Sequence, residues 1–183
     1  MPAPTQTATG ATVSLEAMLM AREQRTARQA AALVRFDKPL VSMTVVMPGP
    51  VKDGRLPRRV LAEALQELDS VSKARIWRVL WRAVVLRETG PEALYVMDTD
   101  ARSLKSVTVD LEDRHPMGRL WDLDVIAPGS VRLSRQDLGF PARRCLLCER
   151  PAHACGRSRR HPMEELMKAI REIVYERNWH SAA

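Results

Sequence analysis

The sequence of 183 residues lacks a long apolar run, because no stretch approaches the ~20 residues that a membrane-spanning helix needs. Its first residues, MPAPTQTATGAT, have neither the basic start nor the apolar stretch of a secretory signal. Three familiar motifs are also missing: the glycine pattern of dinucleotide-binding folds, the phosphate-loop lysine motif, and Gly-x-Ser-x-Gly. We therefore expect no membrane association, and a flexible lead over residues 1–13.

Cysteine and aromatic residues are both scarce. The three cysteines all lie between residues 145 and 155, and this odd number in one segment argues against a disulfide framework. Reduced thiols predict a cytoplasmic location. Aromatic residues make up 4% of the chain, whereas RNA recognition usually combines exposed aromatic and basic side chains. No nucleic-acid partner is therefore expected.

The charge is basic and comes mostly from arginine. Lys and Arg total 29 against 22 for Asp and Glu, which gives a net charge of +7. Arginine suits forked recognition of phosphate and carboxylate groups, so an anionic ligand or an acidic protein partner is one interpretation. The other is a protein whose composition is simply rich in arginine, and charge alone favours that one.

Periodicity predicts three longer helices and several strands. Apolar residues recur at helical spacing in 14–36, 56–71 and 162–179, and Ser14 can cap the first of these helices. Short apolar or alternating runs predict strands at 41–47, 77–85, 93–97, 106–112 and 120–127, with 131–134 completing a hairpin. We also expect Asp100 to cap one or two helical turns through Lys105. The pattern indicates an α+β (α/β-like) fold with a mixed or antiparallel sheet.

Two aspartates interrupt the apolar run of the strand at 120–127. Strand alternation places Asp122 and Asp124 on the same face, together with Leu120. Two carboxylates this close repel each other, and a Mg²⁺ ion relieves the conflict while also binding phosphate oxygens. Asp-x-Asp alone is also common on solvated strand faces, so the residues around the pair matter.

The chain just before this strand adds groups suited to phosphate chemistry. Gly118 would allow a phosphate to approach closely, and Arg119 adds positive charge. Glu112, on the predicted neighbouring strand, would supply a third carboxylate. His115 lies on the connecting loop, where it either takes part in the chemistry or caps a backbone group. The glycine turn into Asp-x-Asp resembles that of polymerase-β-type nucleotidyltransferases, with Gly-Arg replacing the usual Gly-Ser, and implies a nucleotidyltransferase-like fold.

Further basic residues follow from the first helix and the loop after the first strand. The apolar stripe of the first helix passes through Arg22, Arg25 and Gln29, so these side chains point inward or toward a cleft. They form either a row of donors facing a polyanion or a set of arginines whose charged ends reach back to solvent. Lys52 lies just past the first strand.

The cysteine segment allows two interpretations. Cys145, Cys148, Cys155 and His161 have spacings that can close a tetrahedral structural zinc site. The zinc would then pin a loop rich in arginine. Alternatively the cysteines are ordinary buried thiols, and the arginines are solvated or touch an acidic partner. Both interpretations remain open at this point.

Four ordered blocks resemble the citrate lyase holo-acyl-carrier-protein synthase family: SLEAMLMAREQRTARQ, TVVMPGPVKD, HPMGRLWDLDV and PARRCLLCERPAHACGRSRRH. The resemblance implies an enzyme that transfers phosphoribosyl-dephospho-CoA from triphosphoribosyl-dephospho-CoA to a serine of the acyl carrier (gamma) subunit, releasing pyrophosphate. It makes 14–140 the catalytic domain, with the Cys/Arg-rich segment and C-terminal helix of 141–183 packed on it.

Residue chemistry then suggests roles for the candidates within that reaction. Asp122 and Asp124 would bind Mg²⁺, and Glu112 or His115 would activate the serine. The predicted phosphate contacts are Gly118, Arg119, Arg22, Arg25 and Lys52. The alternatives are a basic module that binds the carrier or RNA without chemistry, and the equivalent synthase of a malonate-pathway carrier.

Overall fold

The computed structural model describes residues 10–175, and its centre is an antiparallel sheet of five strands in the order β2-β3-β1-β4-β5. The strands are β1 (Leu40–Val45), β2 (Arg78–Val85), β3 (Glu92–Asp98), β4 (Trp121–Ala127) and β5 (Val131–Leu133). The helices are α1 (Leu15–Phe36), α2 (Arg55–Ala74), α3 (Ala101–Arg114), α4 (Ala152–Ser158) and α5 (Met163–Tyr175). The α+β prediction is confirmed, and of the two sheet types foreseen the structure has the antiparallel one.

The larger core lies on one face of the sheet, beneath α2, α3 and α5. Alternate residues of β4, including Trp121 and Leu123, point into it and are almost fully buried. The Trp121 indole nitrogen donates to the Val60 carbonyl of α2 at 3.1 Å, so the largest buried side chain also has its polar atom satisfied. Ile170 of α5 joins the same core, so the C-terminal helix packs on the same hydrophobic centre as the sheet.

The opposite face is covered only in part, by α1. Ser14 caps this helix by accepting a hydrogen bond from the Ala17 amide at 3.1 Å, as predicted. A second, smaller core forms where Ala32 and Leu33 meet sheet residues such as Leu40 and Ile126. These contacts involve the C-terminal half of α1. Its N-terminal half instead carries polar and arginine side chains over one end of the sheet.

The predicted strand at 106–112 is wrong, because these residues belong to helix α3. Asp100 caps this helix by accepting from the Ser103 amide at 2.8 Å, so the predicted cap is confirmed although the helix runs on to Arg114. Buried residues lie around much of its circumference, including Thr108 and Val109 beside the core-facing Val107. A helix buried on several sides reproduces the alternating pattern that indicated a strand.

Leu120 was also placed wrongly. It belongs to a short 3₁₀ turn, Gly118–Leu120, that precedes β4, and its side chain is fully buried in the larger core rather than beside the aspartates. The predicted hairpin between β4 and β5 is present, with Ala127 paired to Val131. Of the predicted lead, residues 1–9 lie outside the described part, and the Val13 amide donates to the Pro50 carbonyl at 2.9 Å.

Across residues 10–175, none of the helices combines the length and the apolar character that crossing a bilayer requires.

Candidate active site

The aspartate pair lies on the face of the sheet that α1 covers only partly. Asp122 and Asp124 are both exposed, while Trp121, Leu123 and Val125 between and beside them are buried on the other face. Both aspartates therefore share one face, as strand alternation predicted. Two residues along a strand span about 6.7 Å, so their carboxylates can reach one small ion together.

Polar residues of the central strand β1 complete this part of the face. Thr44 is paired with Asp122 and Ser42 with Asp124 in the antiparallel register. The Thr44 hydroxyl donates to Asp122 Oδ2 at 3.4 Å. Because Ser42 and Thr44 alternate with buried Val41 and Met43, they face the aspartates rather than the larger core.

The two carboxylates influence each other electrostatically. Partial burial raises the pKa of Asp124 above its usual value, and the negative charge of Asp122 raises it further. The nearest arginine nitrogens lie 3.6 Å from Asp124 Oδ2, on Arg132, and 3.8 Å from Asp122 Oδ1, on Arg143. Both separations exceed hydrogen-bond length, so the pair keeps oxygen lone pairs that a hard cation such as Mg²⁺ can accept.

An ion-paired layer connects α1 to the sheet beside the aspartates. Glu92, at the start of β3, is buried and pairs with Arg25 at 2.9 Å and also with Arg28. Next to it, the Gln29 amide donates to the Ser42 hydroxyl at 2.7 Å. Arg25, a predicted phosphate contact, is therefore held by a carboxylate, and its charge also acts on Asp124.

Arg22 lies one helical turn before Arg25, and its charge reaches Lys52. Burial lowers the pKa of Lys52, and the positive charge of Arg22 acts in the same direction. The Lys52 ammonium donates to the Met47 carbonyl at 2.6 Å, just past the end of β1. Two cations whose charges act on each other are suited to a polyanionic ligand.

The turn into β4 is arranged differently from the prediction. Gly118 is buried and its amide donates to the His115 carbonyl at 2.8 Å, so that amide is not free to bind a phosphate. A Cβ at this position would lie 2.2 Å from the Leu111 carbonyl oxygen, so the glycine is needed for close packing against α3. The missing side chain thus admits a helix backbone at the place where a phosphate was expected.

Arg119 likewise has a structural partner. Its guanidinium donates to the main-chain carbonyls of Arg144 and Cys145, at 2.7 Å for the former. Arg143 makes the reciprocal contact by donating to the Arg119 carbonyl at 2.6 Å, and it is also the arginine beside Asp122. The structure therefore places Arg143, rather than Arg119, next to the carboxylates.

Glu112 and His115 are not brought together with the aspartate pair. Glu112 lies on α3 instead of a strand, and its buried carboxylate accepts from the Leu123 amide at 2.8 Å and pairs with Arg135 at 2.8 Å. Burial raises its pKa, although Arg143 and the other partners act in the opposite direction. The strand that was predicted to carry this third carboxylate is a helix, and among residues 10–175 Glu112 does not join Asp122 and Asp124 in a group compact enough to share one metal ion.

His115 lies on the far side of the sheet, where its ring stacks on Trp121 with centroids 4.4 Å apart. Its Nδ1 accepts from the Met117 amide at 3.1 Å, which matches the interpretation that it caps a backbone group. Its Nε2 is 3.9 Å from Glu67 of α2. A role in activating a hydroxyl beside Asp122 would require it to act through the sheet.

The cysteine segment gathers its predicted ligands. The Sγ atoms of Cys145, Cys148 and Cys155 and a ring nitrogen of His161 all lie within 4.8 Å of one another. Burial works against ionisation of Cys145, but hydrogen bonds, first those of the Leu147 and Cys148 amides, outweigh it and lower the pKa of that thiol. Burial and the neighbouring thiols raise the pKa of Cys155 to about 11.

Several residues of the face escaped the sequence prediction. Glu92 and Arg28 carried no signal, because a lone acid at a strand start and one more arginine in a basic helix are ordinary features. Ser42 and Thr44 did carry one: polar residues two apart in an otherwise apolar central strand indicate a face that is not simply core.

Fold and face together define an α+β protein with an acidic pair on an open sheet surface, bordered by a helix and loops that supply cations. This is the class of site expected for transfer chemistry at phosphate groups.

Comparison with known proteins then places the chain in a family. Residues 13–177 match the family model described as apo-citrate lyase phosphoribosyl-dephospho-CoA transferase. The chain is 42% identical over 169 residues to the protein of that name from Citrobacter koseri, covering 92% of both chains. It is 40% identical over 162 residues to the proteins of that name from Escherichia coli and Shigella boydii, covering 88% of each chain. The protein belongs to this transferase family.

The predicted family is thus confirmed, and the alternative of a basic module without chemistry is not favoured.

Proposed function

We propose that the protein transfers the phosphoribosyl-dephospho-CoA group from triphosphoribosyl-dephospho-CoA to a serine of the citrate lyase acyl carrier subunit. The name of its family states a transfer of phosphoribosyl-dephospho-CoA that involves apo-citrate lyase. The observation that carries the assignment to this face is the pair of half-exposed carboxylates, Asp122 and Asp124, among positively charged side chains. The carrier and the precursor are its proposed partners.

The reaction fits the chemistry of the face. The serine hydroxyl releases its proton to solvent as its oxygen bonds to the phosphorus next to the ribose. The bond from that phosphorus to the oxygen shared with the next phosphate breaks, and pyrophosphate leaves with the electron pair. Negative charge develops on the phosphoryl oxygens during this exchange, and fixed cations stabilise it. Arg143 beside Asp122 and Arg132 beside Asp124 are the cations nearest to the pair.

Asp122 and Asp124 would hold Mg²⁺ between them. Partial burial and the negative charge of Asp122 both raise the pKa of Asp124, and both carboxylates keep lone pairs that can bind an ion; this combination fits a divalent cation. When bound, the ion would neutralise phosphate oxygens and so favour displacement. The protein's part is to fix both carboxylates on one rigid strand, with Thr44 hydrogen-bonded to one of them.

Arg22 and Lys52 would bind the triphosphate end or the CoA phosphate. Lys52 lies just past the end of β1 and is influenced by the charge of Arg22, which lies one helical turn before Arg25 on α1. Arg25 is committed to Glu92, so its contribution is to anchor α1 and to add charge near Asp124. Substrate binding would therefore use the N-terminal half of α1 as one wall of the site.

Mass spectrometry of the apo carrier, after incubation with the protein, the CoA precursor and Mg²⁺, tests this function directly. The carrier should gain the mass of the prosthetic group. We expect Asp122→Asn and Asp124→Asn each to slow this gain by about 10²-fold or more, because each removes a charged ligand from the reacting phosphate's surroundings.

Asp110→Asn is the matched control, since Asp110 is an exposed aspartate on α3 whose partner is Arg114, and it should modify the carrier at the normal rate. Near-normal rates for either variant of the pair would contradict the assignment of the site. No mass gain with the unaltered protein would contradict the function itself.

A further inference from the structure

We propose that Cys145, Cys148, Cys155 and His161 form a structural Zn²⁺ site, and that this site holds Arg143 in place beside the aspartate pair. A tetrahedral zinc ion with Zn–S bonds of about 2.3 Å keeps its sulfur ligands about 3.8 Å apart. Here Cys148 Sγ lies 3.5 Å from Cys155 Sγ and 3.4 Å from His161 Nε2. All four ligand atoms lie within 4.8 Å of each other, which is the compactness that one shared ion requires.

The chain around the four residues is folded as a metal-binding knuckle. The Cys145 amide donates to the Arg150 carbonyl at 2.6 Å, and the Ala152 amide donates to the Arg143 carbonyl at 2.7 Å. These bonds close a tight loop that presents Cys145 and Cys148 on one side. Cys155, on α4, and His161, just after that helix, approach from the other side. Three cysteines and one histidine are one of the usual tetrahedral ligand sets of a structural zinc site.

This segment has little else to stabilise it. Between residues 142 and 162, the buried side chains are the two ligands Cys145 and Cys155, and Leu146 reaches the larger core only in part. The same segment carries five exposed arginines, which do not favour collapse: Arg144, Arg150, Arg157, Arg159 and Arg160. A segment with so small a core needs a cross-link, and bound zinc supplies folding free energy directly.

A disulfide would be a different cross-link, but it suits this cluster less well. The three thiols are free, and an imidazole lies within the same sphere. A disulfide joins two sulfur atoms, so the third thiol and the histidine would take no part in the cross-link, whereas zinc binds all four groups.

The proposed metal site is linked to the aspartates through two arginines. Arg119 donates to the carbonyls of Arg144 and Cys145, so the first ligand is tied to the turn that precedes β4. Arg143, two residues before that ligand, donates back to the Arg119 carbonyl and lies 3.8 Å from Asp122. Zinc would thereby fix the position of a cation at the site. This second statement rests on the proposed function, whereas the presence of zinc does not.

Metal analysis of protein purified without chelators tests the first statement. We expect about one zinc per chain. Cys148→Ser and His161→Ala should lose it, and His161→Cys, which restores a fourth ligand, should keep it. His153→Ala is the matched control, because His153 is exposed and lies on α4 with Cys155 but is not one of the four clustered residues. Cobalt substitution adds a spectroscopic check, since tetrahedral cobalt–thiolate bonds absorb visible light only if the thiols bind metal.

The metal site would be overturned if the unaltered protein contained no more zinc than Cys148→Ser and showed no cobalt–thiolate absorption. The second statement is tested by hydrogen exchange and by carrier modification on the same variants. Loss of zinc should increase exchange across 142–162 and slow modification, while His161→Cys should restore both. Zinc-free protein with a normal rate would overturn the positioning of Arg143 and leave the metal site standing. A missing activity in zinc-loaded protein would instead count against the proposed function.

Discussion

Asp122 and Asp124 share one face of β4, and arginines from later in the chain lie beside them. Both lie on the face that strand alternation predicted, because a period of two is fixed by the backbone and does not depend on distant contacts. Which cations would come near could not be predicted in the same way. Arg132 and Arg143 reach the pair from residues that follow β4 in the sequence, and only the folded chain brings them there.

The raised pKa of Asp124 predicts that this residue costs stability at neutral pH. Its proton is bound more tightly in the folded chain than in the unfolded chain, whose aspartate pKa is about 3.9. Stability contributed by this group therefore falls as the pH rises from that value through the folded pKa. Asp124→Asn should remove the penalty and stabilise the protein by about 0.5 kcal/mol at pH 7, since the carboxylate is half-exposed and screened by water.

Chemical denaturation in EDTA at pH 7 and at pH 4 measures this effect, with Asp110→Asn as the control. The gain should shrink at the lower pH, where the wild-type carboxylate is more protonated. A variant that is less stable than the wild type at pH 7 would show that hydrogen bonding or the Arg132 contact outweighs the repulsion.

At the level of elements, the clearest error concerned α3. Val107, Val109 and Leu111 alternate as a strand would, and all three are buried. Asp100 correctly predicts the start of a helix, whereas the alternating pattern at 106–112 predicts a strand, and the helix extends through those residues. Because this helix packs against the sheet, β5 and the following turn, its burial pattern reflects tertiary contacts that periodicity cannot resolve.

The same helix explains why residue 118 is a glycine. The sequence suggested that a phosphate approaches Gly118, but in the structure the carbonyl groups at the end of α3 occupy the space next to it. Gly118→Ala should therefore destabilise the protein by about 2 kcal/mol or more, because the new methyl group meets rigid backbone 2.2 Å away. Urea denaturation measures the change.

Gly156→Ala provides the comparison, since a Cβ there would meet nothing within 4 Å. Within a helix this change should be neutral or stabilising, by up to about 1 kcal/mol. If Gly118→Ala were as stable as the wild type, the packing explanation would be wrong, and the predicted role of Gly118 beside a phosphate would be the alternative.

Across the whole molecule, the two faces of the sheet are buried very unequally. Within residues 10–175, the larger core combines three helices with the sheet, whereas the smaller one contains six buried residues, including Ala32 and Leu33 of α1. The sequence predicted each of these helices except α3, yet it did not indicate which would cover which face. Which helix covers which face depends on chain topology, because the amphipathic pattern of a helix shows which side is buried but not what it packs against.

We expect α1 to open more readily than β1 and α3. Few apolar contacts hold it, and its middle depends on polar links such as the Glu92 ion pairs and the Gln29–Ser42 hydrogen bond. In native-state hydrogen exchange, amides of α1 should exchange well before those of β1 or α3. If α1 and β1 exchange together, at the rate of global unfolding, the smaller core is as cooperative as the larger one. Such opening would remove the wall that α1 is proposed to give the substrate site.

A last consequence follows from the way α3 borders β4. Beyond the short strand β5, the outward amide and carbonyl of Leu123 are taken by Glu112 and Lys105, at 2.8 Å and 3.1 Å. A peptide from another molecule could therefore not pair with the backbone of Leu123 at this margin. Glu112, predicted to activate the serine, thus closes one position of β4 to strand pairing together with Lys105.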